Sequence, residues 1–201
     1  MQDFHTAVEI GAGSNHDEIS GGSYSLIADV YLLLEDHSNA LAYYRCGLET
    51  LRGGFMYPDC QIRLGYTLFL NGRCAEGREQ VERALAVSNE SGMELMSLKA
   101  RMALARLAAR EGRLEEAASQ AQQLAKELRQ RRLEVLRTEN TILMARINLQ
   151  QGKTNEAIYQ LQKAARQDGA RNNPWSQLSI QTLMLAAEVI NGKPYEVYRL
   201  R

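Results

Sequence analysis

The sequence predicts an all-α protein, a repeat of antiparallel helix pairs, on three observations. Gly72, Gly112, Gly152 and Gly192 stand forty residues apart, each followed by a basic residue, Arg73, Arg113, Lys153 or Lys193. A turn repeated at constant spacing marks an internal repeat. Residues recur in register around those turns: Gly77, Ala117, Ala157 and Val197 five after, and Gly65, Ala105, Ala145 and Leu185 seven before. The small ones let paired helices approach closely. Finally, apolar residues fall three and four apart, as in Leu104, Leu107, Ala108 and in Met144, Ile147, which is a helical period and not a strand period.

The elements follow in order. Phe4 and Ala7 match Tyr44 and Gly47 at a spacing of forty, so a lone helix near residues 2–11 reads as the second helix of an earlier, partial repeat over about 1–20. The next repeat, about 21–57, holds a helical pair near 21–52. Glu35 takes the turn position there, with Ile27 and Ala28 before it and Ala40 after it. Pairs near 58–89, 94–131 and 134–168 fill repeats at about 58–97, 98–137 and 138–173. Runs such as Glu94 to Arg110 and Leu114 to Arg131 are free of Pro and Gly, as helix interiors should be. Pro58, Pro174 and Pro194 fall where a new helix begins, the place where a missing N–H does least harm. A helix over about 174–191 and a stub from Pro194 form a last, partial repeat over 174–201. The whole chain is expected to be one repeat domain, 1–201.

At this level of detail the residues resemble the tetratricopeptide repeat (TPR), which implies that the helix pairs stack into a right-handed superhelix. The match includes Tyr31, Ala40, Tyr44 and Gly47, then Leu64, Gly65, Gly72 and Ala84, then Ala105, Gly112 and Ala117, then Ala145, Gly152, Ala157, Leu161 and Ala164. The period is longer than the roughly 34 residues usual for that repeat. The proline usual at the repeat end is missing, and Asn148 and Glu188 stand where an apolar residue is expected four before the turn. The long period, and the stretch Ala103 to Ala125, are similar to the sensor regions of large ATP-dependent LuxR-type activators, the maltose-operon activator among them. That resemblance implies a module for protein interaction or ligand sensing within a larger transcription regulator. A stand-alone scaffold or adaptor subunit is the alternative.

Composition and charge narrow the partners. No run is long and apolar enough to cross a membrane, and the N-terminal residues lack the basic and apolar regions of a secretory signal, so a cytoplasmic protein is expected. Cys46, Cys60 and Cys74 are odd in number and lack metal-ligand spacing, which reads as free thiols in a reducing compartment. Twenty-four basic and twenty-four acidic residues cancel overall, and no recognition motif accompanies them, so nucleic-acid contact is disfavoured. The charge is uneven. Residues 1–60 hold nine acids and two bases, whereas residues 99–137 hold ten bases and five acids. The run Arg129, Arg131, Arg132, Arg137 is either a solvated helix end or a docking site for an acidic partner or for the acidic end of another copy of the chain.

Chemistry finds little support. His5, His16 and His37 have no ligand-spaced partners, and Gly11 to His16 resembles only half a phosphate-binding loop, without its lysine. No catalytic residue, metal site or cofactor is expected, and the chain reads as a non-enzyme. Binding is expected on the face that first helices present in the resembled family, at residues three, six and ten before each turn. Those include Leu32 and Asp29, then Phe69, Tyr66 and Ile62, then Arg106 and Met102 with Lys99 one turn back, then Leu149 and Arg146. An aromatic–apolar patch beside a basic strip suits an extended peptide or helix carrying apolar anchors and acids. Tyr66 and Phe69 can equally serve as packing between helices. The apolar residues at both ends, Phe4, Val8 and Ile10 and then Tyr195, Val197, Tyr198 and Leu200, imply a piece of a longer protein or self-association through uncapped ends.

Overall fold

Gly72 and Gly112 at φ +80° and Gly152 at φ +75° end helices in the left-handed region that glycine reaches without a Cβ penalty. The N–H of each following residue then donates to the carbonyl five back. Arg73 reaches Leu68 at 2.9 Å, Arg113 reaches Ala108 at 2.9 Å and Lys153 reaches Asn148 at 2.8 Å. Glu35, the non-glycine member of the set, is held at φ 59°, and Asp36 makes the same bond to Tyr31 at 2.9 Å. The computed structural model describes residues 6, 9–11, 16–171 and 173–191. The turn at Gly192 and the stub from Pro194 lie outside these residues, as does most of the helix expected near 2–11, of which Thr6 and Glu9–Gly11 are helical.

Ten helices follow Gly11 among the described residues: α1 (Asp17–Leu33), α2 (His37–Leu51), α3 (Tyr57–Leu70), α4 (Cys74–Glu90), α5 (Glu94–Arg110), α6 (Leu114–Arg129), α7 (Glu134–Gln150), α8 (Thr154–Ala165), α9 (Asp168–Arg171) and α10 (Pro174–Ile190). No strand occurs among the described residues. The class is all-α, as the periodicity predicts. Pro58 and Pro174 sit in the first turns of α3 and α10. The Asp36 side chain caps α2 by accepting from Asn39 N–H, and that of Asn173 caps α10 by accepting from Trp175 and Ser176 N–H.

The chain divides into two compact units, Met1–Leu107 and Ala108–Arg201, with the boundary inside α5. The first unit pairs α1 with α2 and α3 with α4. Its first core joins Ala28, Ala40, Leu41, Tyr44 and Leu51 to Cys60, Leu64 and Leu68 of α3. Its second joins Ile62 and Phe69 of α3 to Val81 and Ala84 of α4 and to Ala100, Ala103 and Leu107 of α5. The seam between α3 and α4 is tight, since a Cβ on Gly65 would lie 2.6 Å from the Gly77 carbonyl oxygen. In the second unit α7 pairs with α8. Ile142 and Ala145 pack on Ala157, Leu161 and Ala164, and Ile180 of α10 closes the same core. Ala105, Ala117, Ala145 and Ala157 are all fully buried, as small residues in a helix–helix seam must be.

Candidate functional site

The three registers expected to face a ligand behave differently. Ten before the turn stand Ser25, Ile62, Met102 and Ile142, all buried. That position is a core register in each of these copies, so Ile62 and Met102 do not line an open surface. Three before the turn, Phe69 is buried too, because the small leading residues of α5, Ala100 and Ala103, let that helix close over α3. Leu32 and Leu149 at this register are half-buried and pack against the cores of their own units. Partial exposure holds for Tyr66 and fails for Phe69. Only the position six before the turn is partly exposed in each of the four, as Asp29, Tyr66, Arg106 and Arg146. The first three belong to the first unit, whereas Arg146 and Leu149 belong to the second.

One of them, Asp29, belongs to a row of alternating charge that links four helices of the first unit. Lys99 Nζ on α5 donates to Asp59 Oδ1 on α3 at 2.7 Å. Arg63 Nε donates to Asp59 Oδ2 at 2.8 Å, one turn along the same helix. The Arg63 guanidinium also donates to Asp29 Oδ2 on α1. Tyr44 on α2 completes the row by donating its hydroxyl to Asp29 Oδ1 at 2.5 Å. Asp29 and Lys99, expected to meet a ligand, thus already have partners within the protein.

The electrostatics of this row come from its half-buried position. Burial acts to raise the pKa of Asp59, whose side chain is 10% exposed, yet Arg63 and Lys99 more than offset it and hold the carboxyl below its ordinary value. Burial would favour loss of the Arg63 proton, but Asp59 and Asp29 fix it as a cation. Burial, then the charge of Asp29, raises the Tyr44 phenol well above its ordinary value. Cys60 sits at the edge of this row and donates to the Tyr44 carbonyl at 3.4 Å. Burial pushes its thiol up to about 11, against a hydrogen bond with Ser25 that acts the other way.

Sequence reasoning missed Arg63, Asp59 and Tyr44 as members of this face. A signal for one pairing was present: Asp59 and Lys99 stand forty apart at the same register with opposite charge. Successive first helices lie side by side at that register, so the pair could have been read as a contact. The three cysteines are free, with Cys60 buried and Cys46 and Cys74 exposed. Among the described residues no group of three His, Cys, Asp or Glu side chains is placed to hold a metal ion.

No protein-family model matches the chain, and no curated protein matches it. Solved structures do. Two crystal structures of a protein described as a putative kinesin light chain from Podosopora anserina, with nearly identical TPR-like repeats, one of them a substituted form, are each 20% identical to this chain. Each covers 85% of it with a TM-score of 0.58, and the matched share of those chains is 85% and 86%. Identity at that level speaks for the backbone and not for a ligand, and the backbone here has the TPR-like repeat fold.

Proposed function

We propose that the chain is a non-catalytic helical repeat module that binds a protein or peptide, and that it serves as the sensing or docking part of a larger regulator. The observation that carries the reading is the partly exposed row Asp29, Tyr66, Arg106, set at one register on successive first helices of the first unit. A TPR-like fold uses such faces for protein interaction, and the ion row through Asp29 ties α1, α3 and α5 together. Tyr66 supplies an aromatic anchor, and Arg106 favours an acidic peptide with apolar anchors. Arg146, beside the half-buried Leu149, offers the same chemistry within the second unit. The reading includes self-association through the end helices and a cytoplasmic setting. No described helix is long and apolar enough to cross a membrane.

An array of peptides of about twelve residues, each with apolar anchors and several acids, set against the same peptides with the acids replaced by lysine, tests the surface. The acidic set should bind residues 1–201 and be released by salt, and Arg106→Glu should weaken binding at least about tenfold, or about 1.4 kcal/mol. Equal binding of both sets, or no effect of Arg106→Glu, would sink the reading. The coding sequence on either side tests the regulatory setting. An ATPase domain upstream and a helix-turn-helix domain downstream fit the LuxR-type resemblance, and the absence of both turns the module into a scaffold subunit.

A further inference from the structure

One register of exposed apolar residues is set by the repeat and not by either end of the chain. Phe55, Leu95, Val135 and Trp175 stand forty residues apart, seventeen before each turn glycine, and they are 61%, 39%, 48% and 57% exposed. Leu95 and Val135 have helix pairs before and after them in the chain, so a missing neighbour does not explain their exposure. The residue after each turns inward, as Met96, Leu136 and Ser176 are buried. In the second unit Val135 and Trp175 are the second residues of α7 and α10. Those helices pack side by side around Ile142 and Ile180, which differ by two positions in register. Their first turns therefore share one end of the unit, about 8–10 Å apart. The connection into α10 lies against the first turn of α7, since a Cβ on Gly169 would lie 2.5 Å from the Glu134 carbonyl oxygen.

The segments that lead into these two first turns carry the charge. Residues 129–137 hold four arginines and one acid, and residues 166–175 hold two arginines and one acid. Arg131 and Arg137 are engaged by Glu127 and Glu134, whereas Arg129, Arg132 and Arg166 are exposed. A basic residue at a helix C-terminus suits the dipole, which accounts for Arg129 and Arg166. It does not account for Arg132, outside both helices, or for the exposed Trp175. The first unit has the apolar register without this charge, because residues 89–97, around Leu95, hold two acids and no base. Trp and Arg are the residue types that dominate protein interfaces, and a guanidinium pairs with a carboxylate through two parallel hydrogen bonds. Nucleic acid asks for several aromatic faces on which bases stack, and this register offers the second unit one, Trp175.

We propose that this end of the second unit docks an acidic protein segment. Val135 and Trp175 take its apolar side chains, and Arg129, Arg132 and Arg166 take its carboxylates. The proposal rests on the reading of the chain as a protein-binding repeat module, but it uses a different surface. Tyr66 and Arg106 lie in the first unit. Arg146 lies eleven residues beyond Val135 on α7, about 16 Å along the helix axis.

Trp175 is the chain's one tryptophan, so its emission reports on this end directly. The probe is a tryptophan-free peptide of about twelve residues with Leu and Phe anchors and Glu between them. Titrated into residues 1–201, it should shift Trp175 emission to shorter wavelength, saturably, and less at high salt. The same peptide with Lys in place of Glu should leave the emission unmoved. Arg132→Glu, alone or with Arg129→Glu, should weaken the titration at least about tenfold, and Arg106→Glu should not change it. Arg132 lies outside the helices, so the single variant carries the test if the double one loses helix content by circular dichroism. An unmoved Trp175, equal shifts with both peptides, or a shift indifferent to Arg132→Glu overturns the proposal. A shift produced by an oligothymidylate or by phosphatidylserine vesicles, and not by the acidic peptide, also overturns it and assigns this end to a phosphate-bearing partner. Binding seen by anisotropy of a labelled peptide that depends on Arg106 and leaves Trp175 unmoved overturns docking at this end alone. A shift of Trp175 with total binding indifferent to Arg106→Glu overturns the first-unit reading alone.

Discussion

Arg63 is the residue on which the charged face of the first unit depends, because it bridges two carboxylates carried on different helices, Asp29 on α1 and Asp59 on α3. Its side chain is 38% exposed, so water screens part of each ion pair and the row adds less to stability than a buried one would. The deeper members give the protein a pH profile. The pKa of Asp59 is lowered on folding by Arg63 and Lys99 against the opposing effect of burial, so its contribution is present above the ordinary value of 3.8 and is lost as pH falls below it. Cys60 and Tyr44 shift the other way, both chiefly through burial. Their contributions are complete below the ordinary values of 9.0 and 10.0 and are lost as pH rises past them. Urea unfolding should therefore show a plateau at neutral pH, a fall below about pH 4 and a fall above about pH 9. Cys60→Ala should remove about 2 kcal/mol of the alkaline fall between about pH 9 and 11. An alkaline limb identical in wild type and Cys60→Ala would show that the thiol is not the group titrating.

At the scale of elements, the helix ends were the most legible part of the sequence. A left-handed residue is required where a helix turns back on itself, and Gly72, Gly112 and Gly152 supply it. The alanines of the seams were legible for the same reason, since close approach demands a residue type. What a single helix cannot reveal is how far the next helix rotates over it. Phe69 and Tyr66 lie one turn apart on α3, yet one is buried and the other half-exposed, and the difference is set by Ala100 and Ala103 on α5. The pairing of Arg63 with Asp29 was hidden likewise, because it joins two helices that are not consecutive in the chain. The α3–α4 seam shows how strict the approach is. Both facing positions are glycine, Gly65 and Gly77, where other copies carry Ala28 with Ala40 and Ala145 with Ala157. Gly77→Ala gains about 1 kcal/mol of helix propensity, but its methyl would run into the Gly65 carbonyl and the backbone of Phe69. Backbone cannot swing aside, so a net loss of roughly 1–3 kcal/mol is expected in chemical denaturation. A stabilised variant would mean that α3 and α4 can slide apart at little cost.

The whole molecule stores its stability locally, as repeat proteins do, in the cores of successive helix pairs with no single centre. The Ala157 core, formed by α7, α8, α9 and α10, lies wholly in the second unit. The Tyr44 and Val81 cores lie wholly in the first. Damage to one core should then be felt where it is made. Ala157 is fully buried against α7, so Ala157→Phe should overpack the seam at a cost of about 1–3 kcal/mol. In a globular domain with one core that loss would lower the protection of every slowly exchanging amide. Here hydrogen exchange of Ala157→Phe should accelerate about ten- to hundredfold in α7 and α8, the rate equivalent of that energy. Amides of α2, α3 and α4 should keep their wild-type rates. Equal acceleration in both units would show that the chain unfolds as one cooperative body, and unchanged rates in α8 would show that Ala157 does not lie in the seam. Confined acceleration is the signature of stability summed repeat by repeat, the property that lets a helical repeat module loosen at one end while its binding face elsewhere stays in register.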